Sequence, residues 1–250
     1  ALECKEGFGN RMEYLKEIID KFFITDNRWQ YFTKGLATTL QVTAGALLIG
    51  LLIGVVVSII RSSHDQINQK ELSPPARAVF WALDTAARLY LTIIRGTPTL
   101  VQLLLIYFFF LRNVENKVTT ATIAFGINSG AYLAEIFRSG IMSIDKGQME
   151  AGRSLGLSYT KTMRMIILPQ AFKNALPALI NEIITLLKET SICGYIGLND
   201  LTRGAEIIGG ATYEQFVPLM AAAMIYLAVV MFFTWIMGIV ERRLRESDRR

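Results

Sequence analysis

Between Gly35 and Ile60 the chain runs 26 residues without a charged side chain. Thr38, Thr39, Gln41, Thr43 and Ser58 are the only polar side chains in that run. It is long enough to cross the hydrocarbon core of a bilayer with some tilt. No water is available there, so each backbone N–H and C=O must find its partner within the segment, and the segment must be a helix. Gly45, Gly50 and Gly54 break its bulk, and the Gly50-x-x-x-Gly54 spacing suits close packing against a second helix.

Four further stretches continue the pattern. Ala76 to Leu111 is longer than one crossing requires. Its first half carries Arg77, Asp84, Arg88 and Arg95, and its second half is strongly apolar. Gly96-Thr97-Pro98 divides the two, so the expectation is a helix kinked or interrupted at that point. Arg88 and Arg95 are placed to snorkel or to pair with Asp84. Val118 to Ile144, Met165 to Ile196 and Gln215 to Val240 supply three more spans. Half of the composition is hydrophobic, 52%, which fits a chain with this much membrane-length sequence. The fold expected is therefore all-α: a polytopic membrane protein with five transmembrane helices in residues 35–245, preceded by a segment at 1–34 and followed by a short tail at 246–250.

In the first segment Leu15, Ile18, Ile19, Phe22 and Phe23 follow the spacing of one helical face, with Arg11, Glu13, Lys16, Glu17, Asp20 and Lys21 on the other. Such a helix is too charged to span. One reading lays it along the membrane interface, with Trp29, Tyr31 and Phe32 at headgroup level. The other is a soluble linker helix.

Orientation follows from lysine and arginine placement. Segments 61–77, 138–164 and 241–250 carry three, five and five of them; 112–117 and 195–212 carry two and one. The rich side is cytoplasmic, so the chain enters from outside and its tail lies in the cytoplasm. The basic residues fall in particular loops, so the net charge of +5 does not read as nucleic-acid affinity.

Several chemistries lack their residues. His64 is the single histidine, and Cys4 and Cys193 stand far apart, so no metal-ligand spacing is present. No phosphate-binding Gly-rich loop ending in Lys-Ser or Lys-Thr occurs. No Ser/His/Asp or Cys/His set suggests covalent catalysis. The expectation is a non-enzyme without its own cofactor.

Ionisable groups inside spans are costly and usually functional. On the third span Asn128, Tyr132, Glu135 and Ser139 line one face at helical spacing, with Ser129 beside Asn128. On the fourth, Glu182, Thr185 and Glu189 do the same. At about 1.5 Å per residue, Asn128 and Glu182 both lie roughly 15 Å from the outer end of their spans, near mid-bilayer. One reading makes this a substrate site: Glu182 takes an ammonium or guanidinium group, and Asn128, Ser129 and Tyr132 meet polar or carboxylate atoms, with Thr185 on the same stripe. The other makes them hydrogen-bonding pairs between helices.

The polar insert between the third and fourth spans reads Glu150-Ala151-Gly152, three residues, Gly156, nine residues, then Ile166-Ile167-Leu168-Pro169. Glu150 and Ala151 favour helix, and Gly156 and Ser158 interrupt it, so a short helix, a bend and a second helical start are expected. Here the chain resembles the membrane-spanning permease subunits of ABC importers, whose hallmark is Glu-Ala-Ala, three residues, Gly, nine residues, Ile-x-Leu-Pro. The one departure is Gly152 in place of the second Ala. Arg95-Gly96-Thr97-Pro98 and Asn128-Ser129-Gly130-Ala131-Tyr132-Leu133-Ala134-Glu135 resemble the polar amino-acid branch, the histidine, glutamine and arginine permeases. The resemblance covers about residues 34–245.

What it implies goes beyond the residues. About 147–160 is a cytoplasmic coupling helix, with Glu150, Ala151, Gly152, Arg153, Ser154, Leu155 and Gly156 engaging a separate ABC ATPase that binds ATP and Mg. The permease pairs with a second permease, identical or related, in the bacterial cytoplasmic membrane. A solute-binding protein delivers a polar amino acid from outside. The competing reading is an ion- or proton-coupled secondary carrier, with Glu135, Glu182 and Glu189 as proton sites.

Overall fold

The structure is a computed structural model that describes residues 13, 14, 16–66 and 73–246. Among these residues every regular element is helical. We label them α1 (Trp29–Gln66), α2 (Pro74–Gly96), α3 (Thr99–Leu105), α4 (Lys117–Met142), α5 (Lys146–Ser154), α6 (Tyr159–Thr162), α7 (Leu168–Glu189), α8 (Leu201–Thr212) and α9 (Phe216–Glu246). Two of these, α1 and α9, are long and apolar enough to cross a membrane unaided. The broken pair α2–α3 makes a third if it counts as one span. In α4 and α7 the polar side chains lower the apolar content; Thr120, Asn128 and Ser129 of α4 are buried, whereas Asn174, Asn181, Thr185 and Lys188 of α7 are exposed.

The uncharged run 35–60 sits in α1, which starts six residues earlier than the run itself. It packs along α4 with glycines on both sides of the seam. A Cβ at Gly54 would lie 2.8 Å from Leu133 Cβ, and one at Gly126 would lie 2.7 Å from Ile49 Cβ. Gly45 faces Thr122, Gly50 faces Ser129 and Gly130, and Gly54 faces Leu133. The numbers rise together, so α1 and α4 are parallel. The chain between them must therefore return across the bundle.

That return is α2 and α3, whose axes bend by 110° at the Thr97–Pro98 break. After α3 the helix loosens into a π-turn, Ile106–Phe110. Val42, Leu103, Phe125 and Leu186 form the main apolar cluster, so α3 is pinned between α1, α4 and α7.

Ahead of α1 a short helical stretch ends in a π-turn, Asp20–Ile24. Phe22 is buried against Phe32, Leu201, Ala205, Ile208 and Ala222, with Ile18 and Phe23 at the edge. Ile19 points outward, and Leu15 lies outside the described residues. This stretch is thus fastened to α8 and α9 by part of the expected apolar face. α8 itself begins at Asp200, whose carboxylate accepts from Thr202 N (3.1 Å) and Arg203 N (3.2 Å) as an N-cap.

Candidate functional site

Pro98 cannot donate a backbone hydrogen bond, so the end of α2 leaves carbonyls unpaired. Gln102, one turn into α3, answers this. Its amide nitrogen donates to Ile94 O (2.7 Å) and Thr97 O (3.0 Å). Its carbonyl oxygen accepts from Asn128 Nδ2 on α4 at 2.9 Å. The break is thereby sewn to the polar stripe of α4, at the level of Asn128. Tyr90 adds a second stitch, donating to Ile127 O at 2.6 Å.

One residue further along α4, Ser129 is fully buried. Its hydroxyl donates to Glu182 Oε1 on α7 at 2.8 Å. The two stripes expected to meet at one depth are in direct contact here. One turn on, the Tyr132 ring lies under the Arg95 guanidinium, 5.7 Å from ring centre to Cζ. Glu135 accepts from Arg138 Nη2 (2.7 Å) and Nε (3.2 Å), and Arg95 Nη1 stands 3.9 Å from it. Thr185, three residues after Glu182 on α7, is exposed. Asp84, buried on α2, receives Arg88 Nε at 2.7 Å and the Arg61 guanidinium from α1.

The structure thus joins Ser129 with Glu182 and ties Asn128 to the helix break, while Tyr132 meets Arg95. Sequence reasoning missed Gln102 as an organiser. A polar residue four positions after a proline break was the available signal. It also offered Asp84 as a partner for Arg88 and Arg95: Arg88 does take that carboxylate, together with Arg61, whereas Arg95 turns to Tyr132 and Glu135.

The insert forms a second site. Asp145 caps α5 by accepting from Gly147 N at 2.7 Å. At the other end Gly156 takes φ +81°. Its N–H donates to Arg153 O (3.0 Å) and the N–H of Leu157 donates to Gly152 O (3.2 Å). This paired closure is a Schellman motif, which needs a left-handed residue after the helix. Glu150, Ala151, Arg153, Ser154 and Leu155 are exposed, Leu155 at 81%. Gly152 is buried, and a Cβ there would lie 2.5 Å from Thr162 Cγ2. Thr162 fills the space that a second alanine would use. Beside α5 a cavity of about 430 Å³ opens between Met142, Met149, Glu150, Tyr159 and Met163.

Residues 75–246 match the family model described as binding-protein-dependent transport system inner membrane component. The chain belongs to this family. Relatives of this permease include the arginine transport system permease protein ArtQ of Bacillus subtilis, 39% identical over 87% of this chain and 94% of its own length. The putative glutamine transport system permease protein GlnP of Rickettsia conorii is 36% identical over 93% and 98%. Among solved structures, an amino acid ABC transporter with histidines superposes at TM-score 0.75 with 40% identity, over 89% of this permease and 98% of that chain. The methionine ABC transporter MetNI superposes at TM-score 0.70 with 18% identity, over 86% and 97%, and shares the fold. Membership in a family of importer permeases favours transport driven by a partner over a carrier acting alone.

Proposed function

We propose that this permease carries a polar amino acid inward across the cytoplasmic membrane, driven by a separate ATPase. The observation that carries the substrate reading is the 2.8 Å hydrogen bond from Ser129 to Glu182. It places a carboxylate at the junction of α4 and α7, midway along both helices, where an uncompensated charge is expensive. Glu182 is the anchor for the substrate's positive group. Asn128, Ser129 and Tyr132 line the approach, and Thr185 stands at its exposed edge on α7. The names of the similar permeases and of the solved amino acid transporter support the same substrate class.

Five crossings account for the topology. α1 and α4 run parallel, so α2–α3 returns as one broken span, and α7 and α9 complete the set. Loops rich in lysine and arginine then face the cytoplasm, with the first 34 residues outside and residues 246–250 inside. The α5 loop, with Glu150 to Gly156, reaches into a groove on the ATPase, which holds ATP and Mg. A second permease subunit completes the path, and a solute-binding protein loads it from outside.

The test is Glu182→Gln in the reconstituted complex, with uptake and ATP hydrolysis measured separately. KM for the amino acid rises about tenfold or more, the loss expected for removing a charged hydrogen-bond partner. Unchanged uptake of every cationic or zwitterionic substrate would remove Glu182 from the site.

A further inference from the structure

An amino acid brings a carboxylate as well as an ammonium group, and the neutral donors nearest Glu182 are partly committed. Ser129 has one hydroxyl proton, and it goes to Glu182. Asn128 is buried, and it spends an N–H on Gln102. A carboxylate in a low-dielectric site needs a charged donor.

Besides Glu182, two carboxylates lie on the neighbouring elements, and four arginines pair with them. Arg61 and Arg88 face Asp84; Arg95 and Arg138 face Glu135. With Glu182 counted, the four arginines still outnumber the three carboxylates, which favours an incoming negative group. The arginines are not equally held. Arg138 grips Glu135 with two hydrogen bonds and its side chain is 25% exposed. Arg95 only approaches at 3.9 Å and its side chain is 43% exposed. It rests on the Tyr132 ring, a contact that orients a guanidinium without using its N–H donors. It also lies in the last turn of α2, one residue before the helix ends at the break.

Position completes the argument. Ser129 marks where Glu182 meets α4, and Tyr132 marks where Arg95 does. They are three residues apart on one face, a rise of about 4.5 Å. We propose that Arg95 binds the carboxylate of the substrate while Glu182 holds its ammonium group, so that the α2–α3 break and α7 close on one zwitterion. This rests on the amino-acid reading above. Binding exchanges the loose Arg95–Glu135 contact for a bidentate pair with the substrate, which draws the end of α2 toward α7.

The test compares each probe with its own carboxamide, which keeps the ammonium and removes the negative charge. L-Arginine, L-glutamine and L-histidine are titrated against the assembled complex in detergent, alongside their amides. The native complex binds its preferred acid about tenfold to a hundredfold tighter than the amide, the span of one charge-assisted pair. Arg95→Gln brings that ratio to near one, and Arg95→Lys keeps part of it. A native complex that does not distinguish acid from amide overturns the proposal, whatever the variants do. So does Arg95→Gln with the native ratio. Glu182→Gln separates the two claims: if it leaves acid binding intact, the amino-acid site itself is misplaced; if it weakens acid binding while Arg95→Gln keeps the ratio, only the role of Arg95 fails.

Discussion

Gly152 is where this chain departs from the family hallmark, and its neighbour supplies the reason. Thr162, fully buried, places Cγ2 where an alanine methyl would go. Gly152→Ala is therefore an overpacking change and destabilises by about 1–3 kcal/mol. Adding Thr162→Ser removes the clashing methyl and keeps the hydroxyl that donates to Ser158 O, so the double variant recovers most of the loss. Thermal unfolding of the purified complex checks both; equal losses in the single and double variants would refute the explanation. The departure was visible in the sequence, but its compensation ten residues away was not, because it depends on how α5 folds back on α6. Asp200 yields a pH prediction. Burial pushes its carboxyl from 3.8 to about 6 in the folded chain. Ionisation is thus harder in the folded state, and the folded state holds more protons between those values. Stability falls as pH rises from about 4 to about 6, by roughly 2–3 kcal/mol. Asp200→Asn keeps a good helix cap and abolishes that slope; an unchanged slope assigns it to another group.

Among the elements, the α2–α3 break shows how far sequence reasoning reached. Gly96-Thr97-Pro98 marked the interruption, because proline removes a donor and disfavours helix before it. The 110° turn was not legible. Its angle is held by Gln102, which satisfies the frayed carbonyls of α2 and meets Asn128 across 26 positions of sequence. Gln102→Leu, similar in size but without polar atoms, strands those carbonyls and the Asn128 amide. The expected cost is about 2–4 kcal/mol, from one or more buried groups left unpaired. The checking measurement is again thermal unfolding; a shift no larger than for an exposed leucine substitution would show the clamp to be idle. The α1–α4 seam was more legible, since Gly50 and Gly54 both face α4. The polar stripes were legible as periodic faces, yet their contacts were not. Ser129 meets Glu182, Tyr132 meets Arg95, and Thr185 stays exposed, because partner choice depends on helix rotation and tilt.

At the scale of the molecule, the parallel run of α1 and α4 requires the chain between them to return across the bundle. Among the described residues only α1 and α9 are apolar enough to read as spans alone; α4 and α7 carry polar groups, among them Asn128, Ser129 and Glu182. α9 presents Met220, Met224, Leu227, Met231 and Trp235 outward, a face suited to lipid or to a second permease. The central claim is that this path is moved from outside itself, through the α5 loop, by an ATP-hydrolysing partner. The most direct measurement is accumulation of radiolabelled amino acid against a gradient in sealed vesicles. One set holds the permease alone; the other holds it with its ATPase, ATP and binding protein. Uphill accumulation is expected in the complete set and none with the permease alone. Uphill accumulation by the permease alone would contradict the central claim.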